Sequence, residues 1–182
     1  MNRKNKAIPI RDMVYTALFT AVLCAIAPFS IAVGPIPLSL ATLVIYIAAG
    51  TLGWKYGTLA VMLYILLGAA GLPVFTGFQG GFHKIAGVTG GYIIGYIPCA
   101  LATGFFAEAS GNKLRLYASG MVIGTVILYT GGTAWFMFQT GNTPGASLAL
   151  CVVPFLPGDA IKIAISCIAT PQLRNAIGKS KF

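Results

Sequence analysis

The chain has 182 residues, of which 57% are hydrophobic and 8% charged, and its formal net charge is +9. A soluble domain typically carries about 25% charged residues, and the 12 basic and 3 acidic side chains here are too few to cover such a domain with a hydrated surface. The composition therefore excludes an ordinary soluble domain and predicts a single integral membrane domain over residues 1–182.

Six segments of the chain approach the length of about 20 largely apolar residues that a membrane-spanning helix requires. Their predicted limits are residues 13–33, 38–53, 56–72, 88–107, 114–138 and 148–173. The sequence therefore predicts an all-α membrane protein with six transmembrane helices. A basic start leads into the first segment and no obvious cleavage site precedes Pro28, so we expect a retained span there rather than a signal peptide.

Turn and loop signals separate these segments. Short signals stand at Gly34–Pro37, Gly53–Gly57, Ser110–Lys113 and Gly141–Gly145, and a longer Gly- and Phe-rich loop covers residues 71–87. Pro154 and Pro157 predict an interruption within the last segment. Because backbone groups at membrane depth need hydrogen-bond partners, we expect these stretches to lie outside the lipid or to line an enclosed cavity.

The distribution of Lys and Arg predicts the orientation. With six spans, both termini share one face, and ten basic residues would lie on it: Arg3, Lys4, Lys6, Arg11, Lys55, Lys113, Arg115, Arg174, Lys179 and Lys181. The opposite face would hold only Lys84, and Lys162 would lie within a span. We therefore expect both termini to be cytoplasmic and the loop 71–87 to be on the outer side.

Several function classes are not expected. The basic residues stand at the ends of apolar segments and form no stripe along a soluble face, so no nucleic-acid partner is predicted. The four cysteines are isolated within apolar stretches, and His83 is the single histidine, so no metal site is predicted. One histidine and three acidic residues assemble no nucleophile–base set, so we expect no enzyme, no catalytic residue and no cofactor.

Asp159 and Lys162 are the most informative polar residues. Their spacing of three places them on one face of a helix, and charges at membrane depth usually point into a cavity or toward a partner. The two residues either neutralise each other within the fold or recognise a polar solute. Pro157 and Gly158 directly precede Asp159, which predicts that a helix restarts there near the outer surface. This position favours recognition of a solute that enters from outside.

Two glycine-rich stretches lie before and at the start of the fourth predicted span. The outer loop carries Phe75, Phe78 and Phe82, and its glycines let rings and backbone amides approach a small molecule closely. The alternative is a re-entrant segment packed for stability. In Gly87–Tyr92 the paired glycines suit close helix packing as well as binding, and Thr89 can supply a hydroxyl.

Small residues recur every four positions on the first span, at Ala17, Ala21 and Ala25. Such a stripe permits close contact with another helix. That helix can belong to this chain or to a separate subunit, and the spacing favours neither.

Together, Gly71–Phe75, Gly80–Gly81, Gly87–Tyr92 and Pro154–Lys162 resemble a known family. It is the biotin-specific substrate-binding (S) component of energy-coupling factor (ECF) transporters, the BioY family. The resemblance covers nearly the whole chain, and the combination of motifs is specific although each motif alone is weak. It implies an S-component-like bundle of six helices in the plasma membrane of a prokaryote, with biotin held near the outer face as the transported substrate.

The resemblance also implies partners and residue roles. An S component docks on a transmembrane coupling (T) component that two ABC-type ATPase subunits drive, and this chain has no G-x-x-x-x-G-K-[ST] motif of its own. The stripe Ala17, Ala21 and Ala25 maps onto the surface that contacts the T component. The candidate substrate-binding residues are Asp159, Lys162, Tyr92, Phe75, Gln79, Lys84, Thr89, Gly90 and Gly91.

The chain departs from the family pattern at two places. Val88 stands where the family often has Pro, and His83–Lys84 lies near a position where the family often has Arg. Lys keeps the positive charge of Arg but lacks its bidentate fork.

Two other functions compete with biotin capture: an S component for another vitamin, and a stand-alone secondary transporter. The Asp159–Lys162 pair together with the Gly90–Tyr92 motif favours biotin. A secondary transporter is expected to show an inverted internal repeat, and none is convincing in this sequence.

Overall fold

The computed structural model describes residues 10–31, 36–111 and 113–178. Its elements in chain order are α1 (Ile10–Ile26), β1 (Ser30–Ile31), β2 (Leu38–Ser39), α2 (Ala41–Ala69), α3 (Phe82–Ala86), α4 (Gly90–Ala109), α5 (Leu114–Thr140), α6 (Pro144–Cys151) and α7 (Leu156–Ala176). Within these ranges the only sheet is the two-residue antiparallel hairpin β1–β2. The helical architecture predicted from the sequence is thereby confirmed.

Some of the predictions fall on residues outside the described ranges. These residues are Arg3, Lys4, Lys6, Gly34, Asn112, Lys179 and Lys181. They include half of the basic residues on which the predicted orientation depends.

Three of the described helices are long and apolar enough to cross a membrane, namely α2, α4 and α5. Helices α6 and α7 meet at a bend of 48° and make a fourth candidate if they form one span. Helix α1 has 17 residues, a length of about 26 Å, which is slightly less than the hydrocarbon core of about 30 Å.

Helix α2 is interrupted at Gly53, whose φ of 87° and ψ of 178° are non-helical. A Cβ at Gly57 would lie 2.5 Å from the Cα of Ala49, although eight residues of a straight helix span about 12 Å. The chain therefore reverses direction at Gly53, and the arms 41–52 and 54–69 run antiparallel in close contact. The sequence predicted a five-residue turn at Gly53–Gly57, and the structure replaces it with a reversal at one glycine.

Three other predicted segments have different limits in the structure. The first predicted span reaches residue 33, but α1 ends at Ile26 and the chain continues into a turn and the β1–β2 hairpin. The predicted loop 71–87 contains the short helix α3. The last predicted span is divided into α6 and α7, which agrees with the interruption that its two prolines predict.

The bundle has two distinct ends. The first, here called the basic end, brings together Gly53, the Glu108 side chain that lies over it, and Arg174, which donates a hydrogen bond from Nε to the Gly50 carbonyl at 2.6 Å. The described basic residues Arg11, Lys55, Lys113 and Arg115 lie in or beside the segments that meet at this end. The second, here called the cavity end, is formed by the chain segments 27–31, 36–40, 70–89 and 141–155.

The core between these ends is mainly apolar and aromatic. Tyr46, Tyr64, Tyr117, Phe75 and Phe136 are its largest fully buried side chains. Large apolar side chains also cover much of the outer surface; Leu66, Phe105 and Ile168, for instance, are all more than 60% exposed. This surface suits a lipid environment, where apolar exposure carries no hydration cost.

Candidate functional site

A cavity of about 400 Å³, its opening to solvent included, lies at the cavity end of the bundle. Its lining comes from the β2–α2 region, α4, α5, α6 and α7: Ile36, Pro37, Ser39, Thr42, Tyr92, Tyr96, Leu128, Tyr129, Cys151, Phe155, Asp159 and Lys162. A second cavity of about 320 Å³ lies beside it, and Ile36, Pro37, Tyr92 and Tyr96 line both.

The wall formed by α7 holds the predicted charged pair. Helix α7 begins at Leu156, so Asp159 lies in its first turn as the sequence predicted. Lys162 Nζ lies 2.9 Å from Asp159 Oδ1, and both side chains are 7% exposed. A carboxylate near a helix N-terminus also benefits from the helix dipole.

The ammonium group of Lys162 uses its full donor capacity. Besides Asp159, it donates to the backbone carbonyl of Ser39 at 2.7 Å and to Thr42 Oγ1 at 3.0 Å. An ammonium has three N–H donors, so a ligand that accepts a hydrogen bond from Lys162 replaces one of these partners. These bonds also tie the β2–α2 region to α7.

Asp159 has a second partner that the sequence analysis missed. The hydroxyl of Tyr129, on α5, donates to Asp159 Oδ2. Each carboxylate oxygen thus accepts one bond within the protein and keeps a further lone pair. The Asp159 carboxylate is held between two donors and can still accept a hydrogen bond from a ligand N–H or O–H.

Two tyrosines of α4 separate the cavities. Tyr92 and Tyr96 are four residues apart and therefore share one face of the helix. The hydroxyl of Tyr92 forms a hydrogen bond of 2.9 Å with Thr133 Oγ1. Gly132 lies directly under the Tyr92 ring, where a Cβ would be 2.5 Å from two ring carbons. The ring thus has a fixed position between α4 and α5.

The second cavity contains two more of the predicted residues. Phe75 and Thr89 line it together with Tyr64 and Tyr92. Phe75 is 1% exposed and packs edge-on against Tyr64, with ring centroids 5.6 Å apart. Asp159, Lys162, Tyr92, Phe75 and Thr89 are therefore gathered around two adjoining cavities, the charged pair at the first and Phe75 and Thr89 at the second.

The other predicted residues line neither cavity. Gln79 is exposed, and its backbone pairs with that of Phe75. Lys84 lies in α3 and is partly exposed. Gly90 and Gly91 are sites of close packing, because a Cβ at either position would overlap the Ile85 carbonyl or the Trp135 side chain.

The alanine stripe lies on the outside of α1. Ala17, Ala21 and Ala25 are all exposed, whereas Thr16, Thr20 and Leu23 are the buried residues of the helix. The stripe therefore does not serve packing inside the described part of this chain.

Sequence reasoning missed several cavity residues besides Tyr129. Tyr96 could have been found from its spacing of four to Tyr92, and Thr42 and Ser39 from their position just after the Gly34–Pro37 signal. Phe155 and Leu128 carry no such signal, because an apolar residue in an apolar helix gives no indication of what it faces. No group of three or more His, Cys, Asp or Glu side chains that could hold a metal occurs among residues 10–31, 36–111 and 113–178.

Comparison with known proteins identifies the family. The model of the BioY family matches residues 1–179. The chain belongs to the BioY family. The biotin transporter BioY of Thermotoga maritima is 38% identical over 166 residues, which are 91% of this chain and 97% of that protein. The probable biotin transporter BioY of Pyrococcus horikoshii is 35% identical over 165 residues, again 91% and 97%.

A solved structure has the same fold. The crystal structure of the S component for biotin from an ECF-type ABC transporter superposes with a TM-score of 0.83 at 28% identity. The match covers 100% of this chain and 97% of that chain. The resemblance noted in the sequence is thereby confirmed at the level of family and fold, and this BioY-family chain carries its charged pair and tyrosines at adjoining cavities at one end of that fold.

Proposed function

We propose that this chain is the high-affinity biotin-binding S component of an ECF-type ABC importer that takes up biotin. The observation that carries the proposal is the buried Asp159–Lys162 pair in the wall of a small aromatic cavity, in a chain of the BioY family. A buried, hydrogen-bonded charge pair in an apolar bundle is costly to maintain, and recognition of a polar solute accounts for it.

The chemistry of biotin fits these cavities. Its ureido ring has two N–H donors and one carbonyl acceptor, its thioether ring is apolar, and its tail ends in a carboxylate. Asp159 would accept a ureido N–H, and Lys162 would donate to the ureido oxygen or to the carboxylate in exchange for one of its present partners. Charge-assisted hydrogen bonds of this kind are stronger than neutral ones.

The aromatic wall would hold the apolar part of the ligand. Tyr92 lies between the two cavities and Phe75 lines the second, so their rings would enclose the bicycle, while Thr89 would supply a hydroxyl. Gly90 and Gly91 would contribute by letting α4 approach its neighbours closely, which positions Tyr92.

Two residues of the outer loop would address the remaining polar end of biotin. Gln79 and Lys84 belong to the segment that closes the cavity end, and both side chains have exposed surface. The ammonium of Lys84 suits the carboxylate of the tail. Neither side chain lines either of the two cavities, so their participation requires the loop to move inward when biotin binds.

We also propose that the chain crosses the plasma membrane of a prokaryote six times with both termini in the cytoplasm. The support is geometric: α1, the two arms of α2, α4, α5 and the α6–α7 pair run alternately between the basic end and the cavity end. The described basic residues of the helix ends gather at the basic end, and Lys84 lies at the other. The positive-inside rule then assigns the basic end to the cytoplasm.

The proposed partners are a transmembrane T component and two ABC-type ATPase subunits. The exposed stripe of Ala17, Ala21 and Ala25 supports a docking surface on α1, because small residues let a partner helix approach the backbone closely. The chain would capture biotin, and its partners would supply the energy for uptake.

Equilibrium binding tests the ligand assignment. The purified chain in detergent is titrated with biotin, and with riboflavin and thiamine as controls. We expect saturable binding of biotin near one per chain and no response to the other two vitamins. A folded sample that binds no biotin, or that prefers another vitamin, would overturn the assignment.

A further inference from the structure

The buried face of α7 differs in composition from the rest of the core. All of its buried residues are polar or charged: Asp159, Lys162, Ser166, Thr170 and Arg174. The last four recur every four residues and therefore form one continuous stripe, which extends over about 18 Å from Lys162 to Arg174. Apolar side chains such as Ile163 and Cys167 are only partly buried beside it.

Hydrogen bonds join this stripe to the rest of the bundle at three positions along α7. At the cavity end, Lys162 donates to Ser39 and Thr42. At the basic end, Arg174 donates to the Gly50 carbonyl. Between them, Thr170 Oγ1 lies 2.9 Å from the Tyr117 hydroxyl. The bonds to Thr42 and Gly50 join α7 to the first arm of α2, and the bond to Ser39 joins it to β2.

The directions of the central bonds follow from the donors available. Tyr117 donates its proton to the Tyr46 carbonyl at 2.9 Å, so Thr170 donates to the Tyr117 oxygen. Thr125 donates to the Met121 carbonyl at 2.7 Å, so Tyr46 donates to Thr125. Helices α7, α5 and α2 are thus joined by an ordered set of hydrogen bonds in the middle of the bundle.

We propose that Thr170, Tyr117 and Arg174 are positioning residues for the ligand site. They line neither of the two cavities, but they fix the axial position and rotation of α7, and α7 carries Asp159 and Lys162. Directional bonds specify a register between helices more narrowly than apolar contacts do. The choice of biotin as the ligand rests on the proposed function.

Ser166 provides a matched control within the same stripe. Its hydroxyl is fully buried and has no hydrogen-bond partner among the described residues. Ser166→Ala therefore removes a buried hydroxyl without removing a bond, whereas Thr170→Val removes the bond to Tyr117 and keeps the shape of the side chain. Tyr117→Phe removes the same bond from the other side and, in addition, the bond from Tyr117 to the Tyr46 carbonyl.

The test measures biotin affinity and thermal stability of the three variants in detergent. We expect Thr170→Val and Tyr117→Phe each to raise the Kd by about threefold to tenfold, and their effects to be non-additive in the double variant. Ser166→Ala should bind like the parent. A residue that only stabilises the fold would lower the midpoint of unfolding and leave the Kd unchanged, and that result would overturn the proposal.

Hydrogen exchange of the backbone amides at 159–163 gives a second readout without ligand. We expect faster exchange there in Thr170→Val than in Ser166→Ala, because loss of the remote bond loosens the first turns of α7. If the parent chain binds no biotin but this difference is seen, the assignment of the ligand fails and the positioning role stands. If the parent binds biotin and Thr170→Val matches Ser166→Ala in both Kd and exchange, the positioning role fails and the ligand assignment stands.

Discussion

At the scale of single residues, the hydrogen bonds that Asp159 and Lys162 already make determine which bonds a ligand can form with them. Lys162 has all three donors engaged, and Asp159 holds one donor on each oxygen. Asp159 can therefore still accept a hydrogen bond from a ligand, whereas Lys162 can donate to a ligand only if one of its present bonds breaks. A ligand with paired N–H groups and a carbonyl can meet both conditions by joining the existing pair.

Asp159→Asn tests the charge at this position. The amide has nearly the same shape but leaves the buried Lys162 ammonium without its counter-ion, and it presents an N–H where the ligand needs an acceptor. We expect the Kd for biotin to rise about 30-fold or more, which corresponds to ~2 kcal/mol. Isothermal titration checks this, with Asp12→Asn on α1 as the control. Equal affinity in Asp159→Asn and the parent would remove Asp159 from the site.

Tyr129→Phe tests the partner that holds Asp159 in place. The substitution keeps the ring in the cavity wall and removes only the hydroxyl that donates to Asp159 Oδ2. A hydrogen bond to a charged group contributes about 1.5–3 kcal/mol, part of which orients the carboxylate. We therefore expect the Kd for biotin to rise between about threefold and tenfold, measured in the same titration.

The control for this substitution is Tyr15→Phe on α1. Tyr15 packs against the Arg11 guanidinium at the basic end and lines neither cavity. Removal of its hydroxyl should therefore leave the Kd for biotin unchanged. If both tyrosine variants bind biotin as the parent does, Tyr129 does not orient the ligand site.

The residues of the site could be predicted from the sequence only where their type conflicted with their surroundings. Asp159 and Lys162 are conspicuous because charges are rare in apolar segments. Tyr129 is not, because a tyrosine within an apolar helix is equally suited to the core. Its role depends on the packing of α5 against α7, which brings together residues 30 positions apart.

At the scale of secondary structure elements, the placement of the cavity depends on close contact between α4 and α5. Gly132 lies under the Tyr92 ring, and the neighbouring Gly131 is exposed with no atom near its position for a Cβ. Substituting Ala at each of these adjacent positions therefore distinguishes two effects of the added methyl group. One is its effect on packing, and the other is its effect on helix propensity.

Gly132→Ala should displace the Tyr92 ring from the wall of both cavities. We expect weaker biotin binding and a lower unfolding midpoint, because the added Cβ would lie 2.5 Å from two ring carbons. Gly131→Ala meets no neighbour and should stabilise α5 by about 0.5–1 kcal/mol with the Kd unchanged. Ligand titration and thermal unfolding of both variants check this. A Gly132→Ala variant that binds and unfolds like Gly131→Ala would show that the Tyr92 position is unimportant.

The helices themselves could be predicted well and their ends less well. Segments 88–107 and 114–138 agree with α4 and α5 to within two residues at each limit, because an apolar run with polar ends is a strong signal. The reversal at Gly53 could not be located from the sequence, since Gly53 and Gly57 both suit a turn. Only the backbone shows that Gly53 takes the positive φ while Gly57 permits the contact with Ala49.

At the scale of the whole molecule, the proposed ligand site and the proposed docking surface lie on different parts of the chain. The charged pair and the tyrosines lie at the cavity end of α4, α5 and α7, whereas the alanine stripe runs along the exposed face of α1. No residue of the stripe lines either cavity. Binding of biotin and assembly with the energising subunits should therefore be separable by mutation.

Ala21→Leu tests this separation. The larger side chain projects from the middle of the stripe and would prevent close approach of a partner helix. We expect the isolated variant to bind biotin with unchanged Kd, and expect co-purification with the T component and ATP-driven uptake in vesicles to be largely lost. Ala164→Leu, at an exposed position on α7, is the matched control and should assemble normally. Normal assembly of Ala21→Leu would move the docking surface away from this stripe, whereas loss of biotin binding in the isolated variant would show that α1 and the cavity are coupled.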